Sequence, residues 1–143
     1  MSSDTEGSIA AGLTRFDANE IELFTRVFED LFNRGDFVGM ADFYADDARL
    51  VGQNIPVVHG RQALERFWEE ACRRGGVKDR RISVSNIDSS GDIGYVVGTV
   101  VLRVQSVPEQ IATITINYTT VWKRGSSGLW RLVVDISSRE SAT

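Results

Sequence analysis

The hydrophobic periodicity of this sequence changes at Gly75-Gly76, and this change constrains the fold more than any other feature. Before it, apolar residues recur at the three- and four-residue spacing of amphipathic helices. After it, they alternate with polar residues or form Val-rich runs, as in strands. Helices followed by a run of antiparallel strands predict an α+β domain with the helices packed on one face of a sheet.

The helical part predicts three helices. Asp17 and Glu20 form a capping box for the first helix, which Gly35 ends. Asp36 caps a shorter second helix, and a third follows Gly60 and ends at the glycine pair. The second helix is expected to carry four apolar residues: Phe37, Met40, Phe43 and Tyr44.

The strands are predicted over residues 48–51, 82–87, 93–105, 111–124 and 129–138. Strands of ten or more residues are long for a chain of 143, and a sheet of such strands usually curls. Gly94 and Gly98 are natural places for bends or bulges. We therefore expect a cone-shaped, curved antiparallel sheet with three N-terminal helices across its concave face. Its interior is either a filled core or a ligand pocket.

The length fits one domain, predicted over residues 15–143 after a flexible leader, 1–14, that is rich in Ser, Gly and Ala. The net charge of −4 argues against nucleic acid or an anionic membrane as a partner. A signal peptide and a membrane-spanning apolar segment are absent from the sequence, and Cys72 is unpaired, so we expect a cytoplasmic protein.

The chain has one cysteine and one histidine. They cannot form an internal disulfide or supply the ligands of a typical zinc site. Metal binding by carboxylates alone is left open by this count, but we predict neither a metal nor a cofactor. His59 is the one histidine available to a Ser–His or Cys–His nucleophile, and a cap or surface role is the more common one for a histidine at a helix entrance.

Several local strings resemble the nuclear transport factor 2-like superfamily, in particular its ketosteroid-isomerase-like and SnoaL-like branches. Together with the order of the predicted elements, the resemblance covers about Asp17 to Ser138, which is nearly the whole chain. The strings are Asn33-Arg34-Gly35-Asp36, Phe43-Tyr44-Ala45-Asp46-Asp47-Ala48, Gly60-Arg61-Gln62-Ala63-Leu64, and the closing hairpin from Val121 through Gly128 to Asp135. The resemblance implies a curved-sheet fold, but relatives include isomerases, cyclases, hydrolases, dehydratases and proteins that only bind ligands or partners.

The catalytic groups of the best-known relatives are missing here. By resemblance to the ketosteroid isomerases, the base would stand at Gly52, the oxyanion tyrosine at Phe28 and the second acid near Tyr118 or Thr119. The resemblance therefore does not support steroid isomerisation by that mechanism. By resemblance to the limonene epoxide hydrolases, Asn54 and the acid Asp135 are kept. The positions of the other aspartate and the arginine hold Val100 and Gly98.

Asp135 stands in an otherwise apolar strand and is the main catalytic candidate. If its side chain points into the cone, burial would raise its pKa and suit it to proton transfer near neutral pH. Strand alternation could instead place it with Arg131 on the outer face. The predicted substrate-binding residues are Asn54, Tyr118, Trp122, Tyr44, Trp68, Phe28 and Val100. Each of these has an ordinary structural alternative, as a core aromatic or, for Asn54, as a turn residue.

The long strand predicted over 93–105 has two apolar sides. Its inner set, which includes Val96 and Val100, would give a pocket that prefers an apolar or aromatic small molecule. The opposite set, which includes Tyr95, Val97 and Val101, is more apolar than a solvent-facing strand needs. We therefore expect a homodimer formed through the outer face of the sheet.

A local basic cluster follows the third helix and consists of Arg73, Arg74, Lys78, Arg80 and Arg81. Such clusters are mostly solvated, and a docking site for an anionic group is the less common alternative. The predicted function is binding of a small apolar metabolite in an internal cavity, with acid–base catalysis of an isomerisation, cyclisation or hydrolysis. The alternative is a non-catalytic module for ligand binding or dimeric association.

Overall fold

The computed structural model describes residues 12–108 and 110–140, apart from the side chains of residues 75, 106 and 107. Three helices and six strands follow one another along the chain. Their bounds are α1 Ala18–Asn33, α2 Phe37–Ala41, β1 Tyr44–Val51, β2 Val58–His59, α3 Arg61–Gly75, β3 Val77–Ser90, β4 Ile93–Val107, β5 Gln110–Arg124 and β6 Trp130–Arg139. The predicted α+β class, with a curved sheet and helices on one face, is confirmed.

The six strands form one sheet in the order β2-β1-β6-β5-β4-β3. The long strands β3 to β6 are antiparallel neighbours, as predicted. β1, however, runs parallel to β6, with Tyr44 opposite Leu132 and Val51 opposite Ile136. The first strand therefore lies beside the last strand in the chain.

The helix ends follow the predicted caps. The side chain of Asp17 accepts a hydrogen bond from the Glu20 amide, 2.9 Å away, at the start of α1. The carboxylate of Glu20 does not complete the capping box, because it accepts a hydrogen bond from the Thr14 amide instead. Asp36 accepts from the Gly39 amide and begins α2. The glycine Gly76, with φ of +61°, ends α3 in the left-handed conformation that glycine adopts without strain.

Two of the residues predicted in the second helix do not lie there. α2 ends at Ala41, and Tyr44 is the first residue of β1. The amide of Leu132 in β6 donates a 2.9 Å hydrogen bond to the carbonyl of Phe43. The backbone of Phe43 is therefore paired with the sheet and does not continue the helix. This correction matters for the cavity, because it places Tyr44 on the sheet beside β6.

The predicted leader, 1–14, lies mostly outside the described residues. Leu13, near its end, is fully buried and forms an antiparallel bridge with Trp130. The packed part of the chain therefore includes Leu13. Within the part of the chain that the structure describes, no helix is both long and apolar enough to cross a membrane. The cytoplasmic location stays a prediction.

The hydrophobic core lies between the helices and the concave face of the sheet. Aromatic rings of α1 pack edge-to-face against rings of β5 and α3: Phe24 on Trp122 with centroids 4.9 Å apart, and Phe28 on Trp68 at 5.9 Å. Such ring pairs add about 0.5–1.5 kcal/mol each beyond the area that they bury. The aromatic cluster fixes the helices at a distance from the sheet, and a cavity remains between them.

Candidate functional site

A cavity of about 280 Å³ lies between α1, α3 and the concave face of the sheet. Its wall is mostly aliphatic and aromatic, with contributions from β3, β4, β5 and β6. Asp135 and Arg80 are the charged side chains among the described residues that line it. An apolar cavity with a few converging polar groups is the usual form of a small-molecule site.

Asp135 lies on the wall of this cavity because β6 contains a bulge. Leu132 pairs with Trp122 and points inward, but Val134 pairs with Val121, so Val133 is an extra residue on β6. A bulge of one residue reverses the alternation of the strand beyond it. Asp135 therefore points inward, opposite the buried Thr120, and does not share the face of Arg131 that simple alternation would give it.

A chain of hydrogen bonds leads from α3 through β1 to Asp135. The indole Nε1 of Trp68 donates to the hydroxyl oxygen of Tyr44 at 3.2 Å, and the Tyr44 hydroxyl donates to Oδ2 of Asp135 at 2.7 Å. Tyr44 is fully buried behind the cavity wall. These hydrogen bonds fix the position of the Asp135 carboxyl group through its Oδ2 atom. The Oδ1 atom takes no part in them.

Burial raises the pKa of Asp135, because the low-polarity surroundings destabilise the carboxylate. The hydrogen bond from Tyr44 and the positive charge of Arg80 lower the pKa, but burial is the larger effect. Burial and the negative charge of Asp135 raise the pKa of the Tyr44 phenol well above its ordinary range. Tyr44 is thus a permanent donor, and Asp135 is the group at this position that can exchange a proton.

The second charged group, Arg80, comes from β3. Its guanidinium carbon lies 4.7 Å from the centre of the Trp68 ring and 5.3 Å from that of Phe32, which is a cation–π arrangement with both rings. Its Nε is buried and has no hydrogen-bond partner among the described residues. Burial lowers the pKa of Arg80, and the negative charge of Asp135 acts in the opposite direction. The side chain remains a cation, because a guanidinium does not lose its proton in proteins.

Arg80 belongs to the basic cluster that the sequence predicts to be mostly solvated, but it lies on the cavity wall. The signal that could have identified it is alternation, because Arg80 stands two residues before the apolar Ile82 and so shares its face of the strand. Ile82 is buried and lines the same cavity.

The edge strand that carries Arg80 is held by α1. Glu29, which is buried, accepts a hydrogen bond from the Ile82 amide, and Arg26 donates to the Ile82 carbonyl. Arg26 and Glu29 also form an ion pair of 3.2 Å. These contacts satisfy both backbone groups of Ile82 on the outer edge of β3 and so fix the strand next to Arg80.

Tyr118 lies across β4 at the cavity wall. Its hydroxyl donates a 3.0 Å hydrogen bond to the carbonyl of Ser83 on β3, and it reaches that atom by passing over Gly98. A β-carbon at Gly98 would overlap the Ser83 carbonyl oxygen and lie 2.6 Å from the Tyr118 hydroxyl. The glycine that the sequence suggested for a bend is therefore needed for this close approach. Burial raises the pKa of Tyr118.

The remaining predicted site residues divide into two groups. Phe28, Trp68, Val100 and Trp122 line the cavity, and the Trp122 indole donates to the hydroxyl of Thr120 at 3.0 Å. Asn54 does not line it. It is exposed and has a left-handed backbone, with φ of +59°, so its position is that of a turn residue.

Neither His59 nor Cys72 lines the cavity. His59 is exposed at the end of β2, opposite Arg49, and Cys72 is a half-buried free thiol on α3. In the stretches 12–108 and 110–140, no three His, Cys, Asp or Glu side chains are arranged to hold a metal ion.

Comparison with known proteins agrees with this architecture. The family model of the SnoaL-like domain matches residues 24–133. A ketosteroid isomerase-like protein from Erwinia carotovora atroseptica is 18% identical, with a TM-score of 0.72, over 85% of this chain and 95% of that one. A nuclear transport factor 2-like protein with a cystatin-like fold from Novosphingobium aromaticivorans is 13% identical, with a TM-score of 0.71, over 90% and 93%.

A third solved structure is that of a nuclear transport factor 2-like family protein from Streptomyces avermitilis. It is 17% identical, with a TM-score of 0.69, over 87% of this chain and 96% of that one. None of the curated proteins matches this sequence at a significant level. Identities this low establish the shared fold, and the site has to be interpreted from its own residues.

Proposed function

Because the chain belongs to the family of SnoaL-like domains, we propose that its cavity binds a small apolar or aromatic metabolite and that Asp135 transfers a proton to or from it. The hydrogen bond between Tyr44 and Asp135 at the wall of an apolar cavity is the observation that carries this proposal. It presents one carboxyl group of raised pKa, in a fixed position, to a space the size of a small molecule. A group of this kind is suited to general acid–base catalysis.

The described lining residues include one carboxyl group, that of Asp135. A single carboxylate can remove a proton from one position of a molecule and return it to another, which is the chemistry of an isomerisation or an aldol-type cyclisation. Hydrolysis of an epoxide by the pattern of the hydrolase relatives needs an acid and a base around a water molecule. The geometry therefore favours isomerisation or cyclisation among the three predicted reaction types.

The other polar groups would orient the substrate and hold the carboxyl group. The hydrogen bonds of Trp68 and Tyr44 hold Asp135 in place, and Arg80 and the half-buried Tyr118 present polar groups at the cavity wall. Phe28, Val100 and Trp122 provide apolar contacts. No cofactor takes part in this proposal, because the proton transfer needs only the carboxyl group.

Proton abstraction can be tested without the natural substrate by using 5-nitrobenzisoxazole. A base removes its C3 proton while the N–O bond breaks, and a coloured nitrophenolate is released. We expect the wild-type protein to accelerate this reaction. The rate acceleration should be about 100-fold smaller in the Asp135→Asn variant, since general acid–base groups contribute a factor on the order of 10²–10⁴ to the rate.

The matched control is Asp47→Asn, which removes an exposed carboxylate on β1 outside the cavity and should leave the rate unchanged. Equal rates for the wild-type protein and Asp135→Asn would overturn the proposed role of Asp135. Tight binding of apolar probes without any Asp135-dependent turnover would favour the alternative function, a non-catalytic ligand-binding module.

The outer face of the sheet supports a second proposal, that the protein associates as a homodimer. Tyr95 is 37% exposed and Ile136 is 43% exposed, and both lie on the convex face. The register of β4, β5 and β6 aligns Tyr95, Val121 and Val134 in one row across the sheet, and Val97, Thr119 and Ile136 in a second row. These rows, apolar except for Thr119, form a continuous patch of the kind that subunits cover.

Sedimentation at micromolar concentration tests the dimer. We expect a dimer for the wild-type protein and a monomer for Ile136→Glu, because a buried unpaired carboxylate strongly disfavours an interface. Glu69→Lys, at an exposed position of α3 on the other side of the sheet, should remain a dimer. A wild-type protein that sediments as a monomer would contradict this proposal and leave the cavity proposal unaffected.

A further inference from the structure

We propose that the ligand of this cavity is an apolar or aromatic carboxylate whose anionic group binds Arg80, an inference that rests on the function proposed above. Three properties of Arg80 support this proposal. They are its lack of a direct partner, the way in which it packs, and the charge that it brings into an apolar space.

Arg80 has no direct acceptor within the described part of the chain. Its Nε is buried without a hydrogen bond, and the ion pairs of 4.0 Å or less in these residues do not include it. The nearest balancing charge on the cavity wall is Asp135, which acts on Arg80 through space without a hydrogen bond. A buried donor left without an acceptor has a free-energy cost, and this cost is larger when the group is charged. A ligand that supplies the acceptor recovers this cost.

Arg80 packs against aromatic rings, and these rings supply no hydrogen-bond acceptor for its N–H groups. The rings of Trp68 and Phe32 contact the guanidinium as cation–π partners. The N–H donors of a guanidinium lie in its plane, in a fork that matches the two oxygens of a carboxylate. Contact with the two rings restricts the movement of the guanidinium and so lowers the entropy that a ligand must remove on binding.

Charge and size then define the ligand. Asp135 accepts the hydroxyl hydrogen of Tyr44 and forms no hydrogen bond or ion pair of 4.0 Å or less with Arg80 in the described part of the chain, so it gives Arg80 no direct acceptor. A bound monoanion would supply one. The remaining wall is apolar, and the volume of about 280 Å³ is at the small end for ligand pockets. A mono- or bicyclic carboxylate meets these conditions.

A pair of probes of equal shape tests this inference. We expect calorimetric titration of the wild-type protein to give at least 10-fold tighter binding of 2-naphthoate than of 2-naphthamide, which lacks the charge. Arg80→Met should abolish this preference and keep the binding of 2-naphthamide. Arg81→Met is the matched control, because Arg81 is the adjacent residue on the exposed face of β3 and should leave the preference unchanged.

The outcomes separate the two proposals. Equal affinity of the wild-type protein for both probes would overturn the carboxylate preference while the cavity proposal stands, and this comparison needs no variant. Persistence of the preference in a folded Arg80→Met protein would also overturn it. Binding of neither probe would contradict the carboxylate inference and the proposed small-molecule function together.

Discussion

The hydroxyl of Tyr44 donates a 2.7 Å hydrogen bond to Asp135, across 91 positions of the sequence. Tyr44 begins the first strand and Asp135 lies on the last, and these strands are parallel neighbours in the sheet. Trp68 on α3 completes the chain of donors. The candidate proton-transfer group on β6 is thus held by residues from one other strand and one helix, both distant from it in the chain.

Replacement of Tyr44 by phenylalanine tests what this hydrogen bond does to Asp135. The bond stabilises the carboxylate and so lowers its pKa, and its loss should raise the pKa of Asp135 further. A base acts only in its ionised form. We therefore expect the rise of kcat/KM for 5-nitrobenzisoxazole with pH to occur at a higher pH in Tyr44→Phe than in the wild-type protein.

This variant should also lose about 1–3 kcal/mol of unfolding free energy, because Trp68 and Asp135 each lose a buried partner. An unchanged pH profile, measured on a variant that is folded by circular dichroism, would show that Tyr44 does not tune Asp135.

Replacement of Asp135 by asparagine should stabilise the protein at neutral pH. The pKa of Asp135 is higher in the folded protein than its ordinary value of 3.8, so the unfolded chain releases this proton at a lower pH than the folded one does. The wild-type protein therefore loses stability as the pH rises from about that value through the folded pKa. Asparagine cannot ionise and avoids this loss, which is about 1.4 kcal/mol per unit of pKa difference.

Urea unfolding at pH 4 and at pH 8 measures this effect. We expect the stability of Asp135→Asn relative to the wild-type protein to be greater at pH 8 than at pH 4. For Asp47→Asn, the exposed control, the difference from the wild-type protein should be small at both values. A relative stability of Asp135→Asn that does not change with pH would refute a raised pKa.

Adjacent valines on β4 offer a matched test of the cavity. Val100 is buried and faces the cavity, whereas Val101 lies on the opposite face of the strand. In Val100→Phe, the added ring should occupy the space of the ligand and weaken the binding of 2-naphthamide by at least 10-fold, with a stability change within about 3 kcal/mol. Val101→Phe should bind this probe like the wild-type protein. Unchanged binding by Val100→Phe would place the ligand elsewhere.

Gly98→Ala should destabilise the protein by about 2–3 kcal/mol, because the new β-carbon overlaps the Ser83 carbonyl and crowds the Tyr118 hydroxyl. Gly125→Ala is the control. Its β-carbon would meet the Leu129 carbonyl at an ordinary 3.8 Å, so we expect a change of less than about 1 kcal/mol. Thermal or urea unfolding measures both, and equal stabilities would show that β4 and Tyr118 move apart at little cost.

Most of the fold could be predicted from the sequence, because its signals are local. The caps at Asp17 and Asp36, the glycine pair that ends α3 and the alternation of β4 each depend on residues a few positions apart. The end of α2 could not be predicted in this way. Phe43 and Tyr44 continue the helical spacing, but the backbone of Phe43 is bound by Leu132, which is 89 positions further along the chain.

The site residues, too, could be predicted only where their sequence signals are local. Aromatic residues on the helix faces, such as Phe28 and Trp68, follow from periodicity. The position of Arg80 on the cavity wall could not be predicted, because Arg80 stands among basic residues and such clusters are usually solvated. Its neighbours Lys78 and Arg81 are in fact exposed. Only the packing of α1 and α3 against β3 encloses Arg80 between Trp68 and Phe32.

Asp135 shows most clearly which properties of the site follow from the sequence and which depend on the tertiary structure. The sequence by itself determined that a carboxylate stands in an apolar strand, and that this strand closes an α+β domain. The tertiary structure decided which way that carboxylate points, because the pairing of β6 with β5 leaves Val133 as a bulge and reverses the alternation beyond it. Register is a property of two strands together, and the spacing within one of them does not contain it.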